Sequence, residues 1–509
     1  MKKLLLLLAI LIAVAAMGQQ PLDVTEKWFA DPIDIKMDIP AFNKTSGFTS
    51  YKEMMQYLND RISEYPELIS MEIIGKTQKG SDIPFVTVKK KEGNDNKLRI
   101  FYTGRVHGNE PSGTEALLYF IRQLIEDKEV NSLLDKMEFY IMPMINIDGA
   151  EKNNRYTANG IDLNRDQSKL DTPEAEAYHA GSKIAKPDIA VDFHEFQPTK
   201  ALYSKIYDQG DLSVPWDIMF LYSENPNVAK SIRNAVDVFF LPHLRQTMDN
   251  HSLTHYTYYA PSEDANGVTF TIGGSSPRST STSIALKNSI SLLMETRGIQ
   301  LGRTSALRRV YSAYLAALSV ALTAYENEDM IRKTIAEAIS DRSDIAVKFS
   351  FQKNNNYPLK FIDLHKNDTL TINVNALLSH LPPKVTQSAS LPRFYYLLPS
   401  ETKAADLLSK IGVETTVLQK AKTVTVHYYV VSKITTGKDP VGGVVPVTVT
   451  TKKNSKEITL PEGTIVVSTD QRNVRIATML LEPEANNGFV SFKVINPVNN
   501  QELPIYKEL

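Results

Sequence analysis

Apolar and polar residues follow two rhythms along this chain, and the places where the rhythm changes outline its organisation. Met54, Met55, Leu58 and Ile62 fall on one helical face between Ser50 and Tyr65, which predicts a surface helix. Strands are predicted over Ser70 to Lys76 and Ile83 to Lys91, joined by the turn Gln78-Lys79-Gly80-Ser81. From residue 97 short apolar runs alternate with helical spacing. A strand from Leu98 to Thr103, a helix from Ser112 to Asp127 and a strand from Phe139 to Ile145 are expected, then a helix starting at Thr172-Pro173 and a strand from Asp188 to Phe193. Residues 199 to 285 are rich in Ser, Thr, Tyr, Gly and Pro with weak periodicity, the texture of loops around a pocket. A strand from Ile290 to Met294 then leads to a helix from Ser305 to Glu326, whose stripe of Leu307, Val310, Tyr311, Tyr314, Leu315, Leu318 and Leu322 reads as core.

Beyond residue 343 the pattern turns to Val, Thr, Ile and Tyr broken by Pro, Gly and Asn. Strands are expected at Ile345 to Phe351, Thr369 to Val374, Thr423 to Val431 and Val444 to Thr450, with one helical interlude from Thr402 to Ile411. The alternation predicts an α/β layered domain, followed by a β-rich C-terminal domain. The expected organisation is a leader over 1–18, an N-terminal segment over 19–46, a catalytic domain over 47–335 and the β-rich domain over 343–509.

Composition narrows the function. Of 509 residues 42% are hydrophobic, enough for packed cores and too many for a disordered chain. Fifty-seven Lys and Arg oppose 58 Asp and Glu, so no global basic field exists to hold nucleic acid. There is no cysteine, which removes disulfides, thiolate metal sites and a thiol nucleophile, so any metal must sit on His, Asp or Glu. Lys2 and Lys3 precede an apolar run from Leu4 to Ala16, followed by Met17 and Gly18, the form of a cleavable signal peptide. With no cysteine for a lipid anchor and no later apolar stretch long enough to span a bilayer, a secreted or periplasmic protein is expected.

The candidate chemistry lies at strand ends. Gly104-Arg105-Val106-His107-Gly108-Asn109-Glu110 follows a buried strand, putting an imidazole and a carboxylate three residues apart. His194 ends the strand from Asp188, where open α/β sheets place their ligand sites. Two histidines and one glutamate, with a fourth position left for water, is a catalytic zinc pattern. Between these lie Asn146-Ile147-Asp148-Gly149, then Arg155, then Gly160-Ile161-Asp162-Leu163-Asn164-Arg165, and a late strand ends in Glu295. In that order, over roughly residues 47 to 330, the chain resembles the M14 family of zinc carboxypeptidases, with Ile147 where the family has Pro.

That resemblance implies an α/β fold that is a three-layer α/β/α sandwich on a mixed sheet, and one zinc ion per chain on His107, Glu110 and His194, activating a water whose proton Glu295 takes. It also implies Arg155 beside the developing oxyanion, and Asn164 with Arg165 holding a substrate carboxylate. A strand-end carboxyl such as Glu295 in an apolar setting should be raised in pKa, and its structural alternative is an ion pair with Arg297. The family's mobile tyrosine has three candidates here, Tyr256, Tyr258 and Tyr259. Arg278, in Gly273-Gly274-Ser275-Ser276-Pro277-Arg278, is either a second anion contact or part of a plain turn. Glu195, beside His194, tunes the site or pairs with an arginine. The other histidines show no ligand spacing. The expected enzyme hydrolyses the C-terminal bond of peptides or of peptidoglycan-derived peptides. The alternatives are a zinc amidase or deacylase acting on murein stem peptides or N-acyl groups, and a binding protein on a retired peptidase scaffold.

Overall fold

The computed structural model describes residues 20–91 and 96–508, so the expected leader over 1–18 lies outside the described residues. An eight-stranded mixed sheet forms the centre. Its spatial order is Ile69–Lys76, Asp82–Val88, Met137–Met142, Leu98–Gly104, Ile189–Phe196, Ile290–Arg297, Ile218–Tyr222 and His255–Thr257. The four middle strands run parallel, and antiparallel pairings join them to the outer ones.

Neighbouring residues on one strand identify the helical layers. Tyr102 points to one face, where its ring meets Phe120 and its hydroxyl donates to the Ala317 carbonyl, so helices Ser112–Glu126 and Ala306–Glu326 cover that face. Phe101 points the other way, onto Tyr178 of helix Pro173–Ala185. Because strand side chains alternate, this is a helix–sheet–helix sandwich. Local chemistry sets the helix starts. Ser50 and Glu53 form a reciprocal capping box, and the Thr172 hydroxyl accepts from the Ala175 amide with Pro173 in the first turn.

Residues 199–285 are more ordered than their composition predicts. They supply strands Ile218–Tyr222, His255–Thr257, Tyr259–Asp264 and Gly267–Ile272, and helical turns from Lys230 to Asn250. Pro242 would normally break that helix by clashing with the carbonyl four residues back. The π-helical turn Val236–Phe240 widens the ladder just before it, so Ile232, Val236, Phe240, Leu244 and Met248 stay on one buried face.

A two-stranded sheet pairs Ile345–Ser350 with Lys384–Ala389, and two larger sheets complete the described residues. One has the order Leu212–Ser213, Gln352–Asp363, Asp368–Leu378, Gly267–Ile272 and Tyr259–Asp264. It mixes strands from both sides of residue 343, so the boundary expected there does not separate this sheet. The other is a six-stranded sheet built wholly from residues after 393, as the β-rich reading requires. Helix Thr402–Ile411 stops at Gly412, whose φ of +99° suits glycine. In the helix after Ser305, Leu322 is 44% exposed and does not belong to the core, whereas the alanines at 313, 316, 317, 321 and 324 do. Among the described residues no helix is long and apolar enough to cross a membrane.

Candidate active site

The site stands at the carboxyl ends of the central parallel strands. His194 and Glu295 are registered neighbours on strands Ile189–Phe196 and Ile290–Arg297, so their side chains leave the same face of the sheet. His107 and Glu110 come from the turn after Leu98–Gly104. That turn lies against the next one backbone to backbone: a Cβ on Gly108 would sit 2.1 Å from the Gly149 carbonyl carbon, so only glycine fits. Asn146 fastens the contact, accepting from the Gly149 amide at 3.0 Å and donating to the Val106 carbonyl at 3.3 Å. Asp148 accepts from the Thr77 hydroxyl at 2.8 Å and the Lys79 amide at 3.0 Å. The Asn-Ile-Asp-Gly segment thus acts as a buttress.

Three donors converge. His107 Nδ1 lies 2.8 Å from Glu110 Oε1, His194 Nδ1 lies 2.9 Å from Glu110 Oε2, and the two Nδ1 atoms are 3.1 Å apart. All three residues are buried. Each imidazole turns its other nitrogen to a carboxylate: His107 Nε2 to Asp162 Oδ1 at 3.1 Å, His194 Nε2 to Asp192 Oδ2 at 2.7 Å. A proton held on each Nε2 leaves both Nδ1 lone pairs directed at one point, so these residues fit a metal ion, and His107, Glu110 and His194 form a group able to hold one.

Electrostatics reinforce the arrangement. Burial works against the Glu110 carboxylate, yet His107 and His194 hold it well below the usual carboxylate range. Glu295 behaves oppositely. Burial, with help from Glu110, pushes its carboxyl up to about 8 against the pull of His194, Arg155 and Lys200. No ion pair joins Glu295 to Arg297, whose guanidinium stacks on the Phe29 ring and donates to Gln20.

Arg155 reaches into the same space. Its Nη2 donates to Asp162 at 2.9 Å and its Nη1 lies 3.4 Å from Glu110 Oε1. Burial lowers it, but Asp162 and Glu110 outweigh that and hold it charged. Asn164 is buried, its Oδ1 accepting from the Thr280 amide at 2.9 Å and hydroxyl at 3.1 Å. Arg165 is exposed, with one nitrogen on the Asn164 carbonyl at 2.6 Å and the rest of its fork uncommitted.

Of the three tyrosines, Tyr258 lines the cavity with Arg165 and Glu295. Tyr256 is not brought to the site: it stacks on Trp216 at 4.9 Å and meets the Tyr357 hydroxyl at 3.4 Å. Tyr259 is buried edge-on to Phe270, although it also borders the cavity. Arg278 lines a cavity adjoining Glu295 and Arg165. Glu195 faces the opposite layer, as strand alternation requires, and pairs with Arg309 at 2.8 Å and with Ser112. Gly298 lies against its carboxylate, where a Cβ would sit 2.2 Å away.

Sequence reasoning passed over Asp192 and gave Asp162 no role of its own. Asp192 lies two residues before His194 on a strand, which puts both on one face, so period two was the signal for it. Lys200, which also lines the cavity, carried no comparable signal.

Comparison with known proteins agrees with this geometry. The family model described as zinc carboxypeptidase, of the M14 peptidases, matches residues 54–196. Carboxypeptidase 2 of Trichophyton rubrum is 28% identical over 445 residues, spanning 85% of this chain and 81% of its own. Mast cell carboxypeptidase A of Homo sapiens is 28% identical over 150 residues, 26% of this chain and 36% of its own. A solved metallo-carboxypeptidase from Burkholderia cenocepacia overlaps 55% of this chain and 70% of its own at 18% identity, with a TM-score of 0.42. His107, Glu110 and His194 thus fall inside a stretch, residues 54–196, that matches the zinc carboxypeptidase (M14) family model, and Glu295 stands beside them from beyond that stretch, so over this region the chain carries a zinc carboxypeptidase-like (M14) domain.

Proposed function

We propose that this chain is a secreted zinc carboxypeptidase that removes the C-terminal residue of peptides. One observation carries the reading furthest. Glu295, a buried carboxyl, stands in register beside His194 of the three-donor cluster, and the uncommitted Arg165 opens onto the same cavity.

In this reading His107, Glu110 and His194 hold the zinc, with Asp162 and Asp192 orienting the two imidazoles. When bound, zinc supplies Lewis acidity and makes a water acidic enough to act near neutral pH. Glu295 takes a proton on its carboxylate and returns it to the departing amine. Arg155, held by Asp162, donates to the charge that develops on the scissile carbonyl oxygen. Arg165 binds the substrate's terminal carboxylate through its planar fork, and Asn164, fixed by Thr280, positions Arg165 through its backbone carbonyl. Tyr258 is the tyrosine placed to cover a bound residue. Residues 47–335 form the catalytic unit, with the sheet that includes Gln352–Asp363 and Asp368–Leu378 walling one side of the cleft. The leader over 1–18 and export from the cell belong to the same proposal.

The test is incubation of the zinc-loaded protein with a mixed peptide library and product identification by mass spectrometry. Stepwise loss of C-terminal residues is expected. Cleavage of murein fragments alone favours an amidase, and binding without turnover favours a retired scaffold.

A further inference from the structure

A cavity of about 580 Å³ opens beside Glu295 and Arg165 and runs beneath the loop Gly273–Arg278 toward Val347, Phe349 and Met479. Its ionisable lining is unbalanced. Arg165 and Arg278 border it, and Glu295 is the single carboxylate among its lining residues.

Arg278 makes no ion pair among the described residues: no carboxylate lies within ion-pairing distance of its guanidinium, and its buried Nε has no hydrogen-bond partner. Ser281, 2% exposed on the same cavity, likewise has a hydroxyl without a partner. Three other arginines near the site are answered, Arg155 by Asp162, Arg308 by Asp217 and Arg309 by Glu195, whereas Arg165 shares with Arg278 the lack of an ion pair. Burial, and then the neighbouring Arg165, push Arg278 down to about 10 against the pull of Asp162, which lies beyond ion-pairing distance. A half-buried guanidinium and a buried hydroxyl left unpaired each cost free energy that a ligand able to accept from both would recover.

We propose that this cavity receives the side chain of the residue to be released and that it selects an acidic one, with Arg278 and Ser281 binding the side-chain carboxylate while Arg165 binds the α-carboxylate. The proposal rests on the carboxypeptidase reading and adds the substrate class to it. A C-terminal Asp or Glu carries two carboxylates, one for each guanidinium. A C-terminal Lys or Arg would meet Arg278 with like charge and find only Glu295, which the reaction uses. Leu221, Leu293 and Phe349 on the cavity wall pack against the methylene part of the side chain.

The experiment measures kcat/KM of the zinc-loaded full chain on peptides that differ only in the last residue: Glu, Asp, Gln, Leu, Phe and Lys. Wild type should prefer Glu over its neutral isostere Gln by about 30-fold or more, since a charge-assisted contact is replaced by a neutral one. Arg278→Gln should reduce that ratio to about three-fold, chiefly through a higher KM for the Glu peptide, and Arg278→Glu should move the preference to Lys. Zinc content and melting temperature show that each variant is folded. Wild-type release of Leu, Phe or Lys in preference to Glu overturns this inference while leaving the carboxypeptidase reading intact. A Glu preference that Arg278→Gln does not change overturns the assignment to Arg278. Release of no C-terminal residue from any peptide overturns both.

Discussion

Asp192 and His194 lie two residues apart on one buried strand, and His194 Nε2 donates to Asp192 Oδ2 at 2.7 Å. Asp192 is itself fixed by the Thr103 hydroxyl at 2.9 Å and by Thr280. This chain of contacts sets both the tautomer and the tilt of the imidazole whose Nδ1 faces Glu110 and His107.

Asp192→Asn should therefore weaken metal binding by about 10- to 100-fold without removing a ligand, because the amide can no longer hold the proton on Nε2 in the same way. His194→Ala should lose the metal altogether. Zinc retention measured against a competing chelator separates the two outcomes. Unchanged retention in Asp192→Asn would show that the carboxylate only packs.

Glu295→Gln should keep the fold and the metal and lower the turnover number by about two to four orders of magnitude, since it removes a proton carrier and preserves shape. Single-turnover assays with metal analysis on the same sample check this. Near-normal turnover in a zinc-replete variant would place the proton carrier elsewhere.

The same substitution has a signature in the metal-free protein. Glu295 is raised from 4.5 to about 8 by burial and Glu110, so the folded state holds this proton more tightly than the unfolded state. Its contribution to stability is complete below about pH 4.5 and is lost progressively as pH rises toward 8. Glutamine does not titrate. The melting temperature of chelated Glu295→Gln should gain on that of chelated wild type between pH 5 and pH 8, and a constant difference would mean that Glu295 titrates alike in both states.

What the sequence disclosed follows from how local each signal is. The Thr172-Pro173 start and the Gly412 stop act within a few residues and were readable, as was the helix from Ser50, although its capping box with Glu53 was not singled out. That His107, Glu110, His194 and Glu295 meet at one end of the sheet was readable because an α/β sheet delivers polar residues at the carboxyl ends of otherwise apolar strands. The sheet that joins Gly267–Ile272 to Asp368–Leu378 depends on pairing across about a hundred residues of chain, which no local pattern records. The choice between Tyr256 and Tyr258 was hidden because it turns on a stack with Trp216 from a distant segment. Leu322 fits the helical stripe in sequence, but it is exposed, and alanines of its own helix supply much of the buried face.

Glu195 and Arg309 form an ion pair that is almost entirely buried, with side-chain exposures of 0% and 1%. Arg309→Met should destabilise the fold by about 3 to 5 kcal/mol, because it strands a carboxylate that already lacks a partner for Oε2. Gly298→Ala should also destabilise it, since the new methyl meets that carboxylate. Urea unfolding gives both numbers. A loss below about 1 kcal/mol in Arg309→Met would show that Glu195 simply takes up a proton there.

Arg165 bears on whether the enzyme needs a free C-terminus. Its guanidinium is exposed, commits one nitrogen to the Asn164 carbonyl and keeps the remainder of its fork available on the cavity shared with Glu295. A carboxylate can accept two parallel hydrogen bonds from such a fork, whereas a terminal amide offers one neutral acceptor and brings a donor that opposes the cation. Loss of a charged, doubly bonded contact costs about 2 to 5 kcal/mol, so an amidated peptide should be hydrolysed at least about 30-fold less efficiently than its free-acid twin. Arg165→Lys should narrow that ratio mainly by slowing the free acid, because the ammonium keeps the charge and loses the planar fork. The measurement is kcat/KM for both peptides with both proteins. Equal hydrolysis of acid and amide by wild type would exclude recognition of a terminal carboxylate and leave the amidase reading in its place.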